Sequence, residues 1–253
     1  MKNVLLLGSN LLGALSEADR ELIRPHLQQI SLPSGHVIYE PGDDVQFAYF
    51  PRYEAIAAFL IPMPDGEAIE AAMVGREGAV GGIVSQGRLP AYARCSVTQG
   101  GDFLKISSKI LADLKDQSRA IDRLFSRYAD CLVAQILQSV ACNARHSIEQ
   151  RAARWLSAAI SRTAGDHIRM TQAQLGTFLG VGRSYVARVL ARFREEGLIE
   201  TKRGGITILD RAKLAAISCD CTELVVDHFE TVLRGVYPQE TEPGNGAPAE
   251  SGK

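Results

Sequence analysis

Residues 171–193 contain two short apolar repeats separated by a glycine turn. Leu175 and Leu179 stand four residues apart, which gives the first segment one apolar helical face, and Thr171 can cap that helix. Gly180 follows where a turn needs a permissive backbone. Beyond the turn, four apolar residues recur at helical spacing: Val186, Val189, Leu190 and Phe193. The segment therefore predicts a helix-turn-helix.

The other face of the second predicted helix carries arginines beside small residues: Arg183, Ser184, Ala187, Arg188 and Arg192. Such a face suits the major groove of DNA. Two amphipathic helices joined by a glycine turn also occur in ordinary helical bundles, so the motif alone leaves that alternative open.

The residues after the motif favour DNA binding over a bundle. Gly197 can end the second helix. Residues 198–201 and 206–209 then alternate in polarity as two short strands around the basic, glycine-rich tip Lys202-Arg203-Gly204-Gly205. This pattern predicts a β-hairpin, the wing of a winged helix.

Charge is unevenly distributed along the 253 residues, whose net charge is only −1. Residues 145–213 carry 13 basic and 6 acidic side chains, so this stretch has a charge of +7 and the remainder −8. A basic module attached to an acidic one is typical of a nucleic-acid-binding protein. We expect double-stranded DNA as the partner.

Five cysteines are scattered along the chain, at positions 95, 131, 142, 219 and 221. An odd, dispersed set argues against a disulfide framework and favours reduced thiols in the cytosol. The pair Cys219 and Cys221 is a weak metal signal by itself, so we expect no metal site. No stretch reaches the length of a membrane span, and the apolar N-terminal run ends at Gly8 with no clear cleavage site. We therefore expect a cytoplasmic protein.

The region from Ile30 to about Ile106 is punctuated by glycines and prolines. Short runs of β character lie between the turn signals, at 37–39, 47–50, 56–61, 68–74 and 103–106. Such spacing predicts a β-roll or jelly roll. We assign residues 1–106, including a short helix within 10–29, to this domain. Residues 107–143 form a long helix, 144–217 the winged helix, and 218–253 a C-terminal helix followed by a disordered tail.

Residues 107–143 contain no proline or glycine, which predicts one long helix. Its main apolar row recurs at three- and four-residue steps, and we assign part of that row to a dimer interface: Ile121, Phe125, Tyr128 and Leu132. A second apolar row implies contacts with two neighbours, the β domain and a partner helix: Leu124, Cys131, Val133 and Leu137. The alternative is a helix wrapped entirely within one subunit.

The order of β-roll, long helix and winged helix resembles the Crp–Fnr family of bacterial transcription regulators, over roughly residues 10–235. The likeness is carried by the turn starting at Tyr39, the segment starting at Val74 and the helix-turn-helix. Within that family the chain resembles a subgroup that is marked by three segments, Ala141–His146, Arg154–Leu156 and Cys219–Cys221. The resemblance implies an α+β fold and a homodimer on a two-fold symmetric DNA site. It also implies contact with RNA polymerase and an N-terminal sensor domain.

The sensor region departs from the cyclic-nucleotide binders of that family, which carry a Gly-Glu pair and then Arg-Ser or Arg-Thr. Gly82 stands where the glutamate belongs, Glu77 falls too early, and Arg94 is followed by Cys95. Arg94 and Cys95 remain weak candidates for an effector site, because an arginine can grip a phosphate. The alternative is a solvated strand arginine. We find no iron–sulfur or haem signature and expect cyclic AMP to bind poorly.

The resemblance implies more specific roles in the DNA-binding region. Arg183 and Arg188 match positions from which family members reach base edges, and Ser184 stands where many members have a glutamate. Tyr185 lies on the same face. Phosphate contacts are expected from three other side chains: Gln172, Lys202 and Arg203.

Three function classes remain to be compared. The leading hypothesis is a sequence-specific, signal-responsive transcription regulator. The alternative is a ligand-binding regulatory module whose winged helix mediates protein contacts. An enzyme is not expected, because the β region offers no paired-histidine and carboxylate set.

Overall fold

The computed structural model describes residues 6–83, 88, 90–163, 165–202 and 204–237. The helices are α1 (Asn10–Gly13), α2 (Glu17–Ile23), α3 (Ser108–Gln117), α4 (Arg119–Arg145), α5 (Ile148–Arg162), α6 (Gln172–Leu179), α7 (Arg183–Glu195), α8 (Arg211–Ile217) and α9 (Cys221–Leu233). The strands are β1 (Gln28–Leu32), β2 (Val37–Tyr39), β3 (Phe47–Pro51), β4 (Ile56–Pro62), β5 (Ala68–Val74), β6 (Val80–Gly81), β7 (Arg94–Gln99), β8 (Gly101–Ser107), β9 (His167–Ile168), β10 (Ile199–Lys202) and β11 (Gly205–Ile208). The predicted tail from residue 238 onward lies outside the described residues.

Two antiparallel four-stranded sheets form the N-terminal domain, with strand orders β1-β8-β3-β6 and β2-β7-β4-β5. Apolar side chains from both sheets, including Val74, Val97 and Phe103, fill the space between them. This confirms the predicted α+β class, with a β-sheet sensor domain, a long helix and a C-terminal winged helix-turn-helix. Strands β1 and β7 lay outside the predicted runs, because each is interspersed with polar residues.

The predicted long helix is divided at Ser118, which has an extended backbone. Its hydroxyl accepts a hydrogen bond from the Ile121 amide and donates one to Asp19. Because Ser118 caps α4 in this way, α3 and α4 are separate helices.

Helix α9 runs antiparallel along α4 and covers part of its surface. The ring centroids of Phe229 and Tyr128 are 6.3 Å apart in an edge-to-face arrangement. The guanidinium of Arg127 donates a hydrogen bond to the carbonyl oxygen of Val232. Helix α4 is therefore shared between the β domain on one side and α9 on another.

This packing corrects the predicted dimer interface. Ile121, Phe125 and Tyr128 are buried in the core of their own protomer, so they have no surface to offer a second copy. Leu132 is half-buried and packs against the β-roll interior. In the second apolar row, Cys131 is buried, whereas Val133 and Leu137 are exposed.

The DNA-binding domain and the β domain share one hydrophobic core. Leu60 and Met73 from β4 and β5 belong to the same buried cluster as Trp155 and Phe178 from α5 and α6. The two aromatic rings stack with centroids 5.2 Å apart. The winged helix is thus packed directly on the sensor domain.

A buried ion pair joins the same two domains. The Nε atom of Arg162, at the end of α5, lies 2.7 Å from Oε1 of Glu77, and the two side chains are 3% and 2% exposed. The Gly75 amide also donates to Glu77, and Arg162 donates to the hydroxyl of Tyr237 and the carbonyl of Ala158. The three nitrogens of the Arg162 guanidinium each donate one hydrogen bond, and Oε1 of Glu77 accepts two, whereas its Oε2 is buried with no hydrogen-bond partner among the described residues.

Among the described residues, no helix combines the length and the apolar character needed to cross a membrane.

We predict that Glu77→Gln lowers the free energy of unfolding by about 3–5 kcal/mol, because it leaves the buried Arg162 charge without its counterion. Urea unfolding measures the change. The matched control is Glu40→Gln, which removes the partner of Arg94 in an exposed pair and should cost about 0–1 kcal/mol. Equal losses in the two variants would contradict the assigned importance of the buried pair.

Candidate nucleic-acid interface

The first helix of the motif begins with a complete capping box. The amide of Gln174 donates to the hydroxyl of Thr171 at 3.2 Å, and the Thr171 amide donates to the side chain of Gln174 at 2.7 Å. These two bonds satisfy amide groups that a helix start otherwise leaves without partners. Gln172, expected to contact phosphate, is the first residue of α6 and is half-buried.

Two glycines fix the angle between the helices. Gly180 ends α6 with φ 66°, the left-handed conformation that the sequence predicted for the turn. A Cβ atom at Gly176 would lie 2.8 Å from the carbonyl oxygen of Val181, so this position tolerates only glycine without a shift. The turn can therefore approach α6 closely, and α7 starts directly beyond it.

Helix α7 buries its apolar side and exposes the predicted reading face. The buried residues are the predicted set Val186, Val189, Leu190 and Phe193. Exposed on the other side are Arg183, Ser184, Tyr185 and Arg188. The structure thus brings these four predicted site residues together along the first turns of one helix.

Within this face, Arg188 and Tyr185 contact each other. The guanidinium carbon of Arg188 lies 5.0 Å from the centroid of the Tyr185 ring, in a cation–π arrangement. Arg192, one turn further along, is held by Glu149 at 2.9 Å and Glu196 at 2.8 Å. The arginines of α7 therefore divide into an open group at its start and an ion-paired one near its end.

The wing is a three-stranded sheet with the order β10-β11-β9. Lys202 is exposed at the tip and forms an ion pair with Glu200, with Nζ and Oε2 3.1 Å apart. Arg203, the other predicted phosphate contact of the wing, lies outside the described residues. The predicted hairpin is confirmed, and β9 is an additional strand that is too short to stand out in the sequence.

The weak effector candidates in the β domain are not arranged as a phosphate site. Nε of Arg94 lies 2.8 Å from Oε2 of Glu40, so this guanidinium is already bound by a carboxylate. Cys95, its neighbour on β7, points into the sheet interior and is fully buried. Burial raises the pKa of the Cys95 thiol to about 12. The two side chains lie on opposite faces of the strand and do not form a common site.

An open cavity of about 320 Å³ lies beside this region. Its lining is mostly apolar or glycine, and includes Tyr39, Phe59, Gly81, Gly82 and Tyr92. Gly82 contributes no carboxylate there, and Glu77 is occupied by Arg162. The described part of the cavity therefore offers little to hold a ribose hydroxyl or a cyclic phosphate.

Comparisons with known proteins agree with this geometry. Residues 150–217 match a family model described as the Crp-like helix-turn-helix domain. This match covers α6, α7 and the wing. Residues 150–217 therefore form a Crp-like helix-turn-helix domain.

Solved structures share the fold of most of this chain. A proposed transcriptional regulator of the Crp/Fnr family from Eubacterium rectale matches with a TM-score of 0.62 and 19% identity, over 82% of this chain and 96% of that one. FixK2 from Bradyrhizobium japonicum matches with a TM-score of 0.63 and 15% identity, over 76% and 98% of the two chains. A Crp-family transcriptional regulator from Thermus thermophilus gives 0.59 and 16%, over 75% and 96%. No curated protein sequence matches the chain.

A polar contact between the two domains was absent from the sequence predictions. Nε1 of Trp155 donates to Oε1 of Glu70 at 2.9 Å, which connects α5 to β5. The second carboxylate oxygen, Oε2, is buried and has no hydrogen-bond partner among the described residues. Burial raises the pKa of Glu70 from its ordinary 4.5 to about 7, and the Trp155 bond and the charges of Arg154 and Arg162 oppose that rise.

The sequence predictions also missed a group of four side chains that could hold a metal ion. In the sequence, Cys219 and Cys221 stand as a pair without further ligands nearby, and no metal site is expected from them alone. The fold brings Cys142 and His146 to them, and the four donor atoms lie within 4.8 Å of one another. Cys142 and His146 are four residues apart in the sequence, but the helix was predicted to end at residue 143, whereas α4 continues to Arg145 and has His146 as its cap.

We predict that Glu70→Gln removes a pH dependence of stability. The folded pKa of Glu70 lies above the unfolded value, so its contribution is fully present below about pH 4.5 and is lost as the pH rises through about 7. The variant, which keeps an oxygen for Trp155, should match the wild type at pH 4.5. At pH 8 it should be more stable by on the order of 3 kcal/mol. Thermal unfolding across pH measures this, and parallel curves for the two proteins would contradict it.

Proposed function

We propose that this chain is a transcription regulator of the Crp–Fnr type. It binds a two-fold symmetric DNA site in a sequence-specific manner, as a homodimer, with the N-terminal domain responding to a signal. The observation that carries the proposal is the exposed face of α7, where Arg183, Ser184, Tyr185 and Arg188 stand together beside a basic wing. A recognition helix that presents its N-terminal side chains is the usual way for this motif to enter the major groove.

Different residues are assigned to reading and to positioning. Arg183 and Arg188 are proposed to read bases, because a guanidinium can bond guanine O6 and N7 together. Ser184 and Tyr185 complete the reading face. Contacts with phosphates, which orient the protein without specifying sequence, are proposed for three side chains: Gln172, Lys202 and Arg203.

The proposed dimer seam is an exposed apolar stripe on α4. Val133, Leu137 and Val140 are 54%, 65% and 63% exposed, and they are separated by four and then three residues. This is the heptad spacing with which two helices form a coiled coil. Val133 and Leu137 belong to the second apolar row of the sequence analysis. The proposed seam replaces the interface expected at Ile121, Phe125, Tyr128 and Leu132.

A two-fold axis along this stripe would give the regulator two reading heads. Two recognition helices must lie about 34–36 Å apart to enter successive major grooves on one face of DNA. Self-complementary contact along one helix is the simplest way to set such a spacing. RNA polymerase remains a further proposed partner, and the signal is proposed to be something other than a cyclic nucleotide.

We predict distinct DNA-binding losses for the two groups of residues. Arg183→Ala or Arg188→Ala should weaken binding to the preferred site by roughly 5- to 150-fold and relax one base position. Lys202→Ala should weaken all sequences about equally and flatten the dependence of log K on log salt, whose slope is about −0.9 per phosphate contact. Fluorescence anisotropy on sites selected from random DNA, at several salt concentrations, provides the measurement.

Arg192→Ala is the control for the DNA experiment, because this arginine lies on the same helix but is held by Glu149 and Glu196. Its discrimination between sites should be unchanged. Full discrimination in both Arg183→Ala and Arg188→Ala would contradict the proposed reading face. Salt-independent binding, or none, would favour a wing that contacts protein.

We predict that Leu137→Glu yields monomers at micromolar concentration that keep the wild-type circular dichroism spectrum but lose most operator affinity. A charge on each copy would face its equivalent across the two-fold axis, where like charges repel. Analytical ultracentrifugation measures the association state.

Leu209→Glu serves as the control for the dimer experiment. Leu209 is 59% exposed, close to the 65% of Leu137, but follows the wing strand β11 instead of lying on α4. This variant should remain dimeric. A wild type that sediments as a monomer while binding its operator fully would overturn the dimer proposal, and a dimeric Leu137→Glu would exclude the α4 stripe as the seam.

A further inference from the structure

We propose that Cys142, His146, Cys219 and Cys221 bind one zinc ion that fastens the end of α4 to the start of α9. Nothing in the DNA-binding proposal requires this site, and its test does not depend on DNA.

The four side chains come from two short segments that the fold brings together. Cys142 lies in the last turn of α4, and His146 is the residue that ends this helix, so the pair projects from the same side. Cys219 and Cys221 flank the residue that precedes α9. Two ligands from a helix end and two from a tight turn is a common way to build a metal site with four protein ligands.

The distances between donor atoms fit a tetrahedral ion. Sγ of Cys142 lies 3.6 Å from Sγ of Cys219, and Sγ of Cys221 lies 3.6 Å from Nδ1 of His146. Zinc bonds of about 2.3 Å to sulfur and 2.0–2.1 Å to nitrogen place tetrahedral ligands roughly 3.8 Å apart for two sulfurs and 3.6 Å for sulfur and nitrogen. A disulfide would need its sulfurs at about 2.05 Å.

The surroundings of the cluster favour a bound cation. The three cysteines are buried and form a cluster of their own, separate from the large hydrophobic cores. The three cysteines would bind the ion as deprotonated thiolates. Three thiolates and one Zn²⁺ have a total charge of −1. The guanidinium groups of Arg151 and Arg154 are near enough to interact electrostatically with Cys142. Basic residues therefore lie where the site would carry its remaining negative charge.

An outer contact orients one of the ligands. Nε2 of Gln138, one turn before Cys142 on α4, lies 3.1 Å from Sγ of Cys221 and donates to it. Hydrogen bonds from such neighbours typically fix metal ligands and tune their basicity. Among the described residues the group has four ligands, three buried thiols and one half-buried imidazole, and a set of three thiolates and one imidazole is typical of structural zinc.

The site occupies the joint between the halves of the protein. His146 is followed directly by Ser147, the cap of α5, which opens the DNA-binding domain. Cys219 follows α8, the last helix of that domain, and Cys221 begins the helix that returns along α4. A zinc ion here would hold the entry to and the exit from the DNA-binding domain at one point.

The decisive experiment measures metal in the full-length chain, expressed without a histidine tag and purified under reducing conditions. Mass spectrometry of the digested protein should find about one zinc per chain. Exchange with Co²⁺ should give the thiolate charge-transfer and tetrahedral ligand-field bands. Cys142→Ala and Cys219→Ala should lose the zinc and the bands, whereas His146→Cys, which restores a fourth ligand, should keep the zinc.

The matched control is Cys131→Ala, which removes a buried cysteine from the same helix outside the cluster. It should retain zinc. Should a ligand variant fail to fold, stripping the wild type with a chelator and adding Zn²⁺ back gives an independent readout: the melting temperature should fall and then recover. A reduced wild type that takes up neither Zn²⁺ nor Co²⁺ would overturn the proposal, as would iron with acid-labile sulfide in its place.

Discussion

The buried ion pair between Arg162 and Glu77 fixes how the β domain and the helix-turn-helix domain of this protein pack against each other. Neither charge can be left alone in the interior, because an unpaired buried ion is far more costly than the intact pair. The end of α5 must therefore remain against the turn after β5. The shared core of Met73, Trp155 and Phe178 can form only with the domains in this arrangement.

The same arrangement protects an edge of the sensor sheet. Strand β5 lies at the end of its sheet, where unpaired backbone groups would otherwise face solvent. The side chain of Gln135 donates to the carbonyl oxygen of Met73 at 2.8 Å, and Trp155 donates to Glu70. Strand β5 is therefore covered by α4 on the backbone side and contacts the DNA-binding domain through its side chains.

The sequence predicted those features that depend on residues close together in the chain. The helices of the winged helix were predicted from the spacing of their apolar residues, and the turn between them was predicted from Gly180. The faces of α4 could not be assigned in the same way, because both of its apolar rows have helical spacing. Helix α9, distant in sequence, covers the row of Phe125 and Tyr128, and this decides which row is exposed. The pairing of Glu77 with Arg162 could not be predicted from sequence patterns either, because 85 residues separate the two side chains along the chain.

The packing of helix α9 against α4 has several consequences for the rest of the structure. It buries one apolar row of α4, leaves the stripe around Leu137 open, and carries Cys221 to Cys142. Beyond its other end, Tyr237 accepts a hydrogen bond from Arg162. The helix is therefore anchored at both ends to elements that hold the DNA-binding domain. A rotation of that domain relative to α4 would therefore disturb the Tyr237–Arg162 hydrogen bond or the cysteine cluster.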